Sequence, residues 1–586
     1  MKKNTEKSSS GPPKEKGSNP GIFSVLKSYS GRVTALVIMA LAGSAVNLLI
    51  PKIIAHGIDA FSANRFDFKT VVIEFVAASV AIFVFTLLQN IFQTYTSERV
   101  AMDLRTKLSD KISRHSYSYV LKTNPSRLLT NLTSDVDSVK MFVSQAFVII
   151  ISSVFVLVGT SVLLITINWK LALAVITIVP VIGGAFYIVF KRVKVLFKKS
   201  RENVDVLNKI INESIMGSAL IRVLNSQQPE STKFLETNVV SRDIGLSILR
   251  LFSTLIPIIM FVANVAVVII LSLGGHYVVA GNMSLGNFAA FNSYLMMLIF
   301  PIMMIGFMSN IIAQASASYQ RITEVLIASE DNETGTINSK IKGDIQLKDI
   351  SLSYGEKPVL KNISFKVAAG SKTAIIGPTA AGKSQLLYLL TNLMPPTSGS
   401  IEFDGIKADD YTREMFHSQI GFVFQDSVIF NMSLRENIAF SDKVTDESLA
   451  KAIETADLTG FIDSLPDKLD TIVSERGTSL SGGQKQRIML ARALAVNPKI
   501  LLLDDFTSRV DRKTENKILC NLQNNYPGLT LISVTQKISP VKNFEQIILL
   551  MEGEVVAAGK HKELIESSTE YVQIYNSQRS THHYEL

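Results

Sequence analysis

Six apolar runs precede residue 311, and each is long enough to cross a lipid bilayer as a helix. A helix needs about 20 residues to span an apolar core of about 30 Å, and it satisfies all its backbone polar groups internally. No later stretch of the sequence meets this length. The first half of the chain is therefore predicted to be a six-helix membrane bundle. The runs occupy about residues 33–50, 71–92, 142–167, 171–190, 251–273 and 288–309.

The basic excess of the chain lies in this apolar half. Residues 1–340 carry 32 Lys and Arg against 20 Asp and Glu, while residues 341–586 carry 27 against 30. A nucleic-acid-binding protein would gather its basic residues on a soluble face, so nucleic acid is not predicted as a partner. The single cysteine, Cys520, excludes an intrachain disulfide.

Lys and Arg alternate between the two sides of the predicted membrane. Residues 1–32, 93–141 and 191–250 hold seven, eight and eleven of them, whereas residues 51–70 hold three and residues 274–287 hold none. Because basic flanks stay in the cytoplasm, we expect a multi-pass protein of the cell membrane with both termini cytoplasmic. The two long cytoplasmic segments are predicted to be helical extensions of the membrane helices.

The sequence predicts four regions. Residues 1–20 are a basic tail rich in Lys, Ser, Gly and Pro, predicted to be disordered and without the apolar segment of a signal peptide. Residues 21–325 form the membrane domain, residues 326–340 a linker, and residues 341–586 an α/β domain around a largely parallel sheet. The predicted strands of that last domain are Ile345–Leu352, Thr373–Ile376, Ile500–Leu503, Thr530–Val534 and Ile547–Leu550.

A phosphate-binding loop follows the second of these strands. The segment Gly377-Pro-Thr-Ala-Ala-Gly-Lys-Ser384 has the spacing G-x-x-x-x-G-K-S and precedes a helical run. Its backbone N–H groups and the helix N-terminus bind anionic phosphate, Lys383 reaches the β- and γ-phosphates, and Ser384 can ligate Mg²⁺. A second buried strand ends at Asp504, which is predicted to hold Mg²⁺ directly or through water.

Between these motifs lies Leu480-Ser-Gly-Gly-Gln-Lys-Gln-Arg487, at the start of the helical run Gln484–Leu494. It resembles the signature motif of ATP-binding cassette (ABC) transporters. The chain resembles an ABC exporter half-transporter from about residue 22 to residue 576. The resemblance implies ATP and Mg²⁺ as ligands, and a head-to-tail dimer in a lipid bilayer. It also implies that the signature residues Leu480, Ser481, Gly482, Gly483 and Gln484 serve the ATP of the other subunit, where the serine and the two glycines contact the γ-phosphate.

Other positions match the family one by one. Tyr354 resembles the aromatic residue that stacks on adenine, and Gln425 resembles the loop glutamine that touches Mg²⁺. Ser508–Asp511 resembles the loop that crosses the dimer interface. Two coupling regions are implied, one containing Asn124–Leu129 and Asp135–Asp137 and the other running from Glu213 to Phe234. The implied Mg²⁺ ligands are Ser384, Gln425 and Asp504, and the implied ATP-binding residues are Tyr354, Gly377, Pro378, Thr379, Ala380, Ala381, Gly382, Lys383, Ser384, Gln385 and Gln425.

Three positions depart from the family pattern. Asp505 stands where a catalytic Glu is usual, which withdraws the carboxylate by about 1–1.5 Å, and a misplacement of that order can cost about 10²-fold in rate. Gln536 stands where a His contacts the γ-phosphate, and an amide cannot carry the positive charge of an imidazolium. Ala380 replaces a usual Gly, and it costs about 1 kcal/mol if the backbone there has a positive φ.

The first two departures favour the degenerate-site subunit of a bacterial heterodimeric exporter of drugs or other amphipathic compounds. Its partner would be a second half-transporter with the Glu and the His intact. A homodimeric lipid or drug flippase with slow hydrolysis is the first alternative. An ATP-gated regulatory subunit that transports nothing is the second. The substrate is poorly encoded: five methionines between Met296 and Met308 suit either an adaptable binding surface or plain packing.

Overall fold

The computed structural model describes residues 21–330, 335–355, 357–474 and 477–582. The predicted disordered tail, residues 1–20, lies outside the described residues. Two compact units divide the chain between Ser329 and Glu330, a point inside the predicted linker. The segment Arg114–Lys122, which the sequence analysis placed in the membrane domain, groups with the second unit.

The first unit is helical, and among its described residues six helices are long and apolar enough to cross a membrane. Their spans are Ser30–Ser62, Phe68–Ser113, Pro125–Ile167, Trp169–Met216, Gln227–Val279 and Leu285–Ile327. Each contains one predicted apolar run, which confirms the six-helix bundle. Helix α4, Tyr117–Thr123, lies almost entirely in the segment that groups with the second unit. The helices of the first unit are α1 Phe23–Lys27, α2 Ser30–Ser62, α3 Phe68–Ser113, α5 Pro125–Thr130, α6 Val136–Met141, α7 Phe147–Ile167, α8 Trp169–Ile176, α9 Ile178–Met216, α10 Ser218–Val223, α11 Gln227–Ile269, α12 Gly275–Val279 and α13 Leu285–Ile327.

The long helices of the first unit pack in two groups. Helix α9 packs along α11, while α2, α7 and α13 contact one another and α3 packs along α2. A buried hydrogen bond joins the second group, since the Tyr294 hydroxyl donates to the Leu48 carbonyl at 2.9 Å. The Arg321 guanidinium binds both carboxylate oxygens of the buried Asp135, at 2.5 and 3.0 Å. Three π-helical turns, Asn131–Asp135, Phe142–Ala146 and Ile270–Gly274, interrupt the helices.

The described residues of the second unit form two sheets. The larger has six strands in the order β10-β9-β3-β8-β7-β6, and all its pairings are parallel except β10 with β9. This confirms the largely parallel sheet. A four-stranded antiparallel sheet in the order β2-β1-β4-β5, which the sequence did not predict, accompanies it. The strands are β1 Ile345–Tyr354, β2 Lys357–Val367, β3 Lys372–Ile376, β4 Ser398–Phe403, β5 Ile406–Lys407, β6 Ile420–Val423, β7 Ile500–Asp504, β8 Thr530–Thr535, β9 Gln546–Met551 and β10 Glu554–Gly559.

Apolar residues cover both faces of the six-stranded sheet. Alternate residues of a strand point to opposite faces. In β7, Leu501 and Leu503 accordingly join the core that contains the helix Gly482–Ala495, whereas Ile500 and Leu502 join the core that contains the helix Lys383–Leu390. Strands buried on both faces form continuous apolar runs, which is why the sequence shows them clearly. The helices are α14 Lys383–Leu390, α15 Arg413–His417, α16 Leu434–Ile438, α17 Asp446–Thr455, α18 Thr459–Asp463, α19 Gly482–Ala495, α20 Arg512–Asn525, α21 His561–Ser567 and α22 Thr569–His582.

Candidate nucleotide site

The carboxyl ends of three adjacent strands build the candidate site. Strands β3, β8 and β7 are neighbours, with Ile376 opposite Thr535 and Val534 opposite Asp504. The segments that follow them therefore begin side by side at Gly377, Gln536 and Asp505. Ligands of parallel α/β sheets bind at this edge. The fold thus brings the phosphate loop together with two segments that lie more than 100 residues further along the sequence.

Backbone geometry explains two glycines of the phosphate loop. A Cβ atom on Gly377 would lie 2.0 Å from the Leu550 carbonyl oxygen. Gly382, with φ +96°, directly precedes α14, and a Cβ there would lie 2.6 Å from the Leu360 side chain. Ala380 has φ +66°, so the condition for its backbone strain is met. The loop is thus held close to neighbouring backbone, with the N-terminus of α14 open to a phosphate.

Lys383 is buried at the first position of α14 and is 8% exposed. Its ammonium group donates hydrogen bonds to the carbonyls of Gly377 at 2.9 Å and Pro378 at 2.7 Å. Burial lowers the pKa of Lys383, and the nearby carboxylates of Asp505 and Asp504 act in the opposite direction. The only cation of the phosphate loop therefore lies inside the curve of that loop, where its charge is least screened by water.

The donor set at the end of β7 fits a magnesium ion. Asp504 is 2% exposed, and its Oδ2 atom has no hydrogen-bond partner among the described residues. Burial raises the pKa of Asp504, and a hydrogen bond with Ser384 counteracts the rise. A carboxylate, a hydroxyl and the Gln425 amide are the oxygen ligands that suit Mg²⁺. An ion bound there would satisfy the unpaired carboxylate oxygen.

Asp505 and Gln536 line the same cavity as Lys383 and Asp504. Asp505 adopts a left-handed backbone, φ +46°, in which an aspartate is tolerated. Burial raises its pKa, and the positive charges of Lys383 and Lys537 lower it. The cavity has a volume of about 100 Å³ and is lined by Thr379, Ala380, Gly382, Lys383, Ser384, Gln385, Gln425, Asp504, Asp505, Val534, Thr535 and Gln536.

Tyr354 lies at the end of β1 and does not line this cavity. Its hydroxyl approaches the Met394 sulfur at 3.6 Å, and the side chain is half exposed. Burial of the remaining half raises the pKa of Tyr354, and Tyr117 adds to the rise. Tyr117 stands in the segment that groups with this unit, and its ring lies 5.8 Å from that of Tyr388. The exposed face of Tyr354 leaves room for a base to stack.

The signature residues, like Tyr354, lie outside the cavity lining. Ser481 caps α19, because its hydroxyl accepts from the Gln484 N–H at 3.2 Å and its own N–H donates to the Gln484 side chain at 2.8 Å. A Cβ atom on Gly483 would lie 2.9 Å from the Arg509 carbonyl oxygen, and one on Gly482 would lie 3.1 Å from the Arg509 side chain. The two glycines thus allow α19 to begin against the turn that follows Asp505.

Three residues near these motifs were not singled out as site residues from the sequence. Lys537 is close enough for its charge to act on Asp505, Arg509 covers the signature glycines, and Gln578 binds the segment around Gln536. The position of Lys537, next to a predicted site residue, could have indicated it. Arg509 stood inside a motif that was assigned to the dimer interface. No pattern in the sequence connects Gln578 with the site.

Comparison with known proteins agrees with this architecture. The ABC transporter transmembrane region family matches residues 33–302, and the ABC transporter family matches residues 360–508. An uncharacterized ABC transporter ATP-binding protein of Bacillus subtilis (strain 168), YknU, is 34% identical over 81% of this chain and 82% of its own length. The chain therefore belongs to the ABC transporter family. It is a multi-pass membrane protein with an ATP-binding, Mg²⁺-dependent ATPase domain, and exporters of this family work as dimers in the bilayer.

Two further relatives and one solved structure are also similar. A probable multidrug resistance ABC transporter ATP-binding/permease protein of Bacillus subtilis (strain 168), YheI, is 30% identical over 95% of this chain and 98% of its own length. An ATP-dependent lipid A-core flippase of Desulfotalea psychrophila is 30% identical over 82% of this chain and 85% of its own length. The fold matches a bacterial Atm1-family ABC exporter with ATP bound, with a TM-score of 0.78, 24% identity, and coverage of 95% and 99% of the two chains.

Proposed function

We propose that the chain is one subunit of a heterodimeric ATP-driven exporter of drugs or other amphipathic compounds. It contributes a degenerate ATP site of its own and the signature motif of its partner's hydrolysing site. One observation carries the proposal: the two departures from the family pattern, Asp505 and Gln536, line the same cavity as the retained Lys383 and Asp504. One cavity therefore retains the groups that bind nucleotide while the groups that would assist cleavage are altered.

Binding of the phosphates and cleavage of the γ-phosphate depend on different groups of this cavity. Phosphoryl transfer needs positioning of the phosphates, a group that orients the attacking water, and stabilisation of charge on the γ-phosphoryl group. Lys383 and the N-terminus of α14 bind the phosphates. Bound Mg²⁺, held by Ser384, Gln425 and Asp504, would neutralise phosphate charge. Asp505 is too short to hold a water where a Glu would hold it, and Gln536 offers a neutral hydrogen bond, so this site holds ATP and cleaves it slowly.

The cargo and the location are inferred from a relative and from the basic flanks. YheI is described as a probable multidrug resistance protein, which favours export of amphipathic compounds from the cytoplasm or the inner leaflet. Basic residues concentrate in residues 1–32, 93–141 and 191–250, and this distribution supports a protein of the cell membrane with both termini in the cytoplasm.

A homodimeric flippase with slow hydrolysis is the second candidate. The similarity to a lipid A-core flippase at 30% identity favours it. Asp505 is also still a carboxylate that lines the cavity. In a symmetric dimer it could therefore orient the attacking water at both sites, less effectively than a Glu would, and so support slow hydrolysis.

Two substitutions separate these candidates. We expect Ser481→Arg to abolish most of the ATPase activity of the purified complex, because a large cation at the start of α19 blocks closure over the partner's ATP. Asp505→Asn should cost less than about threefold, since a carboxylate misplaced by about 1 Å contributes little to turnover. Asp463→Asn, on the exposed face of α18, is the control for loss of a charge.

The measurement is ATPase activity and transport by the complex isolated from its own membrane, together with the identity of the chain that co-purifies at equal stoichiometry. A distinct partner chain and a much larger effect of Ser481→Arg support the heterodimer. Equal damage from both substitutions, with only one kind of chain present, would establish the symmetric homodimer instead.

A further inference from the structure

One side chain of the C-terminal helix holds the backbone of the segment that carries Gln536. The Gln578 amide nitrogen donates to the Gln536 carbonyl at 2.7 Å, and the Gln578 amide oxygen accepts from the Ile538 N–H at 2.9 Å. Between these two points, the Lys537 N–H donates to the Thr535 hydroxyl at 3.1 Å. The turn that leaves β8 is therefore bound on both sides by a single glutamine.

Helix α22, which carries Gln578, is anchored in the core of the second unit. Tyr571 is fully buried among the apolar residues on one face of the six-stranded sheet. Its hydroxyl lies 2.7 Å from the His561 ring nitrogen. Residues seven apart share one face of a helix, so Gln578 follows Tyr571 on the anchored face. The amide is consequently presented from an element that packing holds in place.

We propose that Gln578 is a positioning residue for recognition of the γ-phosphate by this chain. The inference rests on the proposed function, in which the Gln536 side chain faces the γ-phosphate. A neutral amide offers one hydrogen bond and no long-range electrostatic attraction, so its contribution to ATP affinity depends on where the backbone places it. Gln578 holds the backbone of Gln536 in place. The conformational entropy of that segment is therefore lost when the protein folds and not when ATP binds. The C-terminal helix thereby sets how well the site distinguishes ATP from ADP.

A purely structural role makes a different prediction. If Gln578 only stabilised the domain, its loss would lower the thermal midpoint and weaken ATP and ADP binding alike. If it positions Gln536, the loss is confined to nucleotides with a γ-phosphate, because ADP does not reach that residue. The ratio of the two affinities therefore separates the two roles.

The test uses the full-length protein as isolated from its membrane. A photoreactive 8-azido-ATP labels each chain, a denaturing gel resolves this chain, and Mg²⁺ with ADP or with the β,γ-imido analogue of ATP competes for the label. We expect Gln578→Met to weaken competition by the ATP analogue about threefold to tenfold, the range for a lost hydrogen bond, and to leave ADP unchanged. Gln578→Glu, which can accept from Ile538 but cannot donate to Gln536, should behave similarly. Gln573→Met, on the exposed side of the same helix, is the matched control.

Gln536→Ala distinguishes failure of this inference from failure of the proposed function. Loss of ATP preference in Gln536→Ala, with no further loss in the double variant Gln536→Ala Gln578→Met, supports the inference. Loss in Gln536→Ala but not in Gln578→Met overturns the role of Gln578 and leaves the γ-phosphate contact standing. An unchanged ratio in Gln536→Ala overturns the contact itself, and with it the inference. Equal weakening of both nucleotides in Gln578→Met shows a structural role only.

Discussion

At the scale of single residues, Ala380 and Gly382 of the phosphate loop both have a left-handed backbone but differ in whether a side chain fits. Ala380 has φ +66° and carries a Cβ atom at a conformational cost. Gly382 has φ +96° and lacks the room for one, because a Cβ would meet the Leu360 side chain at 2.6 Å and the Val359 carbonyl at 3.2 Å. The side chain at Ala380 strains the backbone, whereas a side chain at position 382 would collide with its neighbours.

The two positions should therefore respond oppositely to exchange of alanine and glycine. Ala380→Gly removes about 1–2 kcal/mol of backbone strain and gives back about 0.4–1 kcal/mol through the more flexible unfolded chain. We expect an unchanged or slightly raised thermal midpoint of the nucleotide-free protein. Gly382→Ala should lower that midpoint and weaken ATP binding. A clear loss of stability in Ala380→Gly would show that the strain is absent.

The effect of replacing Lys383 on ATP affinity can also be predicted. Removing a charged hydrogen-bonding group costs about 1–3 kcal/mol, so Lys383→Ala should weaken binding of Mg-ATP by about fivefold to 150-fold. Photolabelling of this chain with 8-azido-ATP measures the change. Lys407→Ala removes an exposed lysine of β5 and should leave the affinity as it is. Unchanged affinity in Lys383→Ala would contradict the assignment of the loop.

At the scale of elements, the start of α19 and the turn Phe506–Arg509 fit together through a glycine. Helix α19 can begin there because Gly483 leaves space for the Arg509 carbonyl, which would lie 2.9 Å from an added Cβ. Backbone yields less easily than the end of a side chain, so the helix start must move if that space is filled. The signature motif therefore takes its position from the turn after Asp505.

Gly483→Ala tests this dependence. We expect a loss of most ATPase activity of the complex, while 8-azido-ATP labelling of this chain stays near the level of the unaltered protein, because the phosphate loop is untouched. Gly460→Ala, in α18, is the control, since an added Cβ meets nothing within 4 Å. Full ATPase activity in Gly483→Ala would mean that the exact start of α19 does not matter for turnover.

At the scale of the whole molecule, two units face different solvents. The first unit exposes many large apolar side chains on its long helices, as a lipid-facing bundle does. The second unit instead buries its apolar residues on both faces of a sheet. A bilayer around the first unit determines which loops are accessible from each side of the membrane.

Single-cysteine labelling from outside intact cells checks that topology. In a Cys520→Ser background, a cysteine at Asn282, in the loop before α13, should react with a membrane-impermeant reagent because residues 274–287 are predicted to be external. A cysteine at Ser226, at the start of α11, should react only after the membrane is opened. The opposite pattern would invert the orientation derived from the basic flanks.

The sequence alone determined the elements whose pattern is continuous along the chain. Six apolar runs, five strands and the Gly377–Ser384 loop all appeared where the structure has them, because each depends on neighbours a few residues away. The left-handed backbone at Ala380 was anticipated only as a condition. The antiparallel sheet β2-β1-β4-β5 was not anticipated: β1 was predicted as a strand, but its neighbours β2, β4 and β5 lack a continuous apolar run.

Which distant groups meet depends on the packing of the folded chain. Pairing of β3, β8 and β7 puts Lys383, Gln536 and Asp505 at one cavity, because parallel strands deliver their carboxyl ends to the same edge of a sheet. The hydrogen bonds of Gln578 to the segment around Gln536 and the approach of Arg509 to Gly483 depend on packing between elements that are not adjacent in the chain. Such contacts leave no periodicity in the sequence, since a hydrogen bond or a close approach needs one residue in the right place and not a repeated pattern.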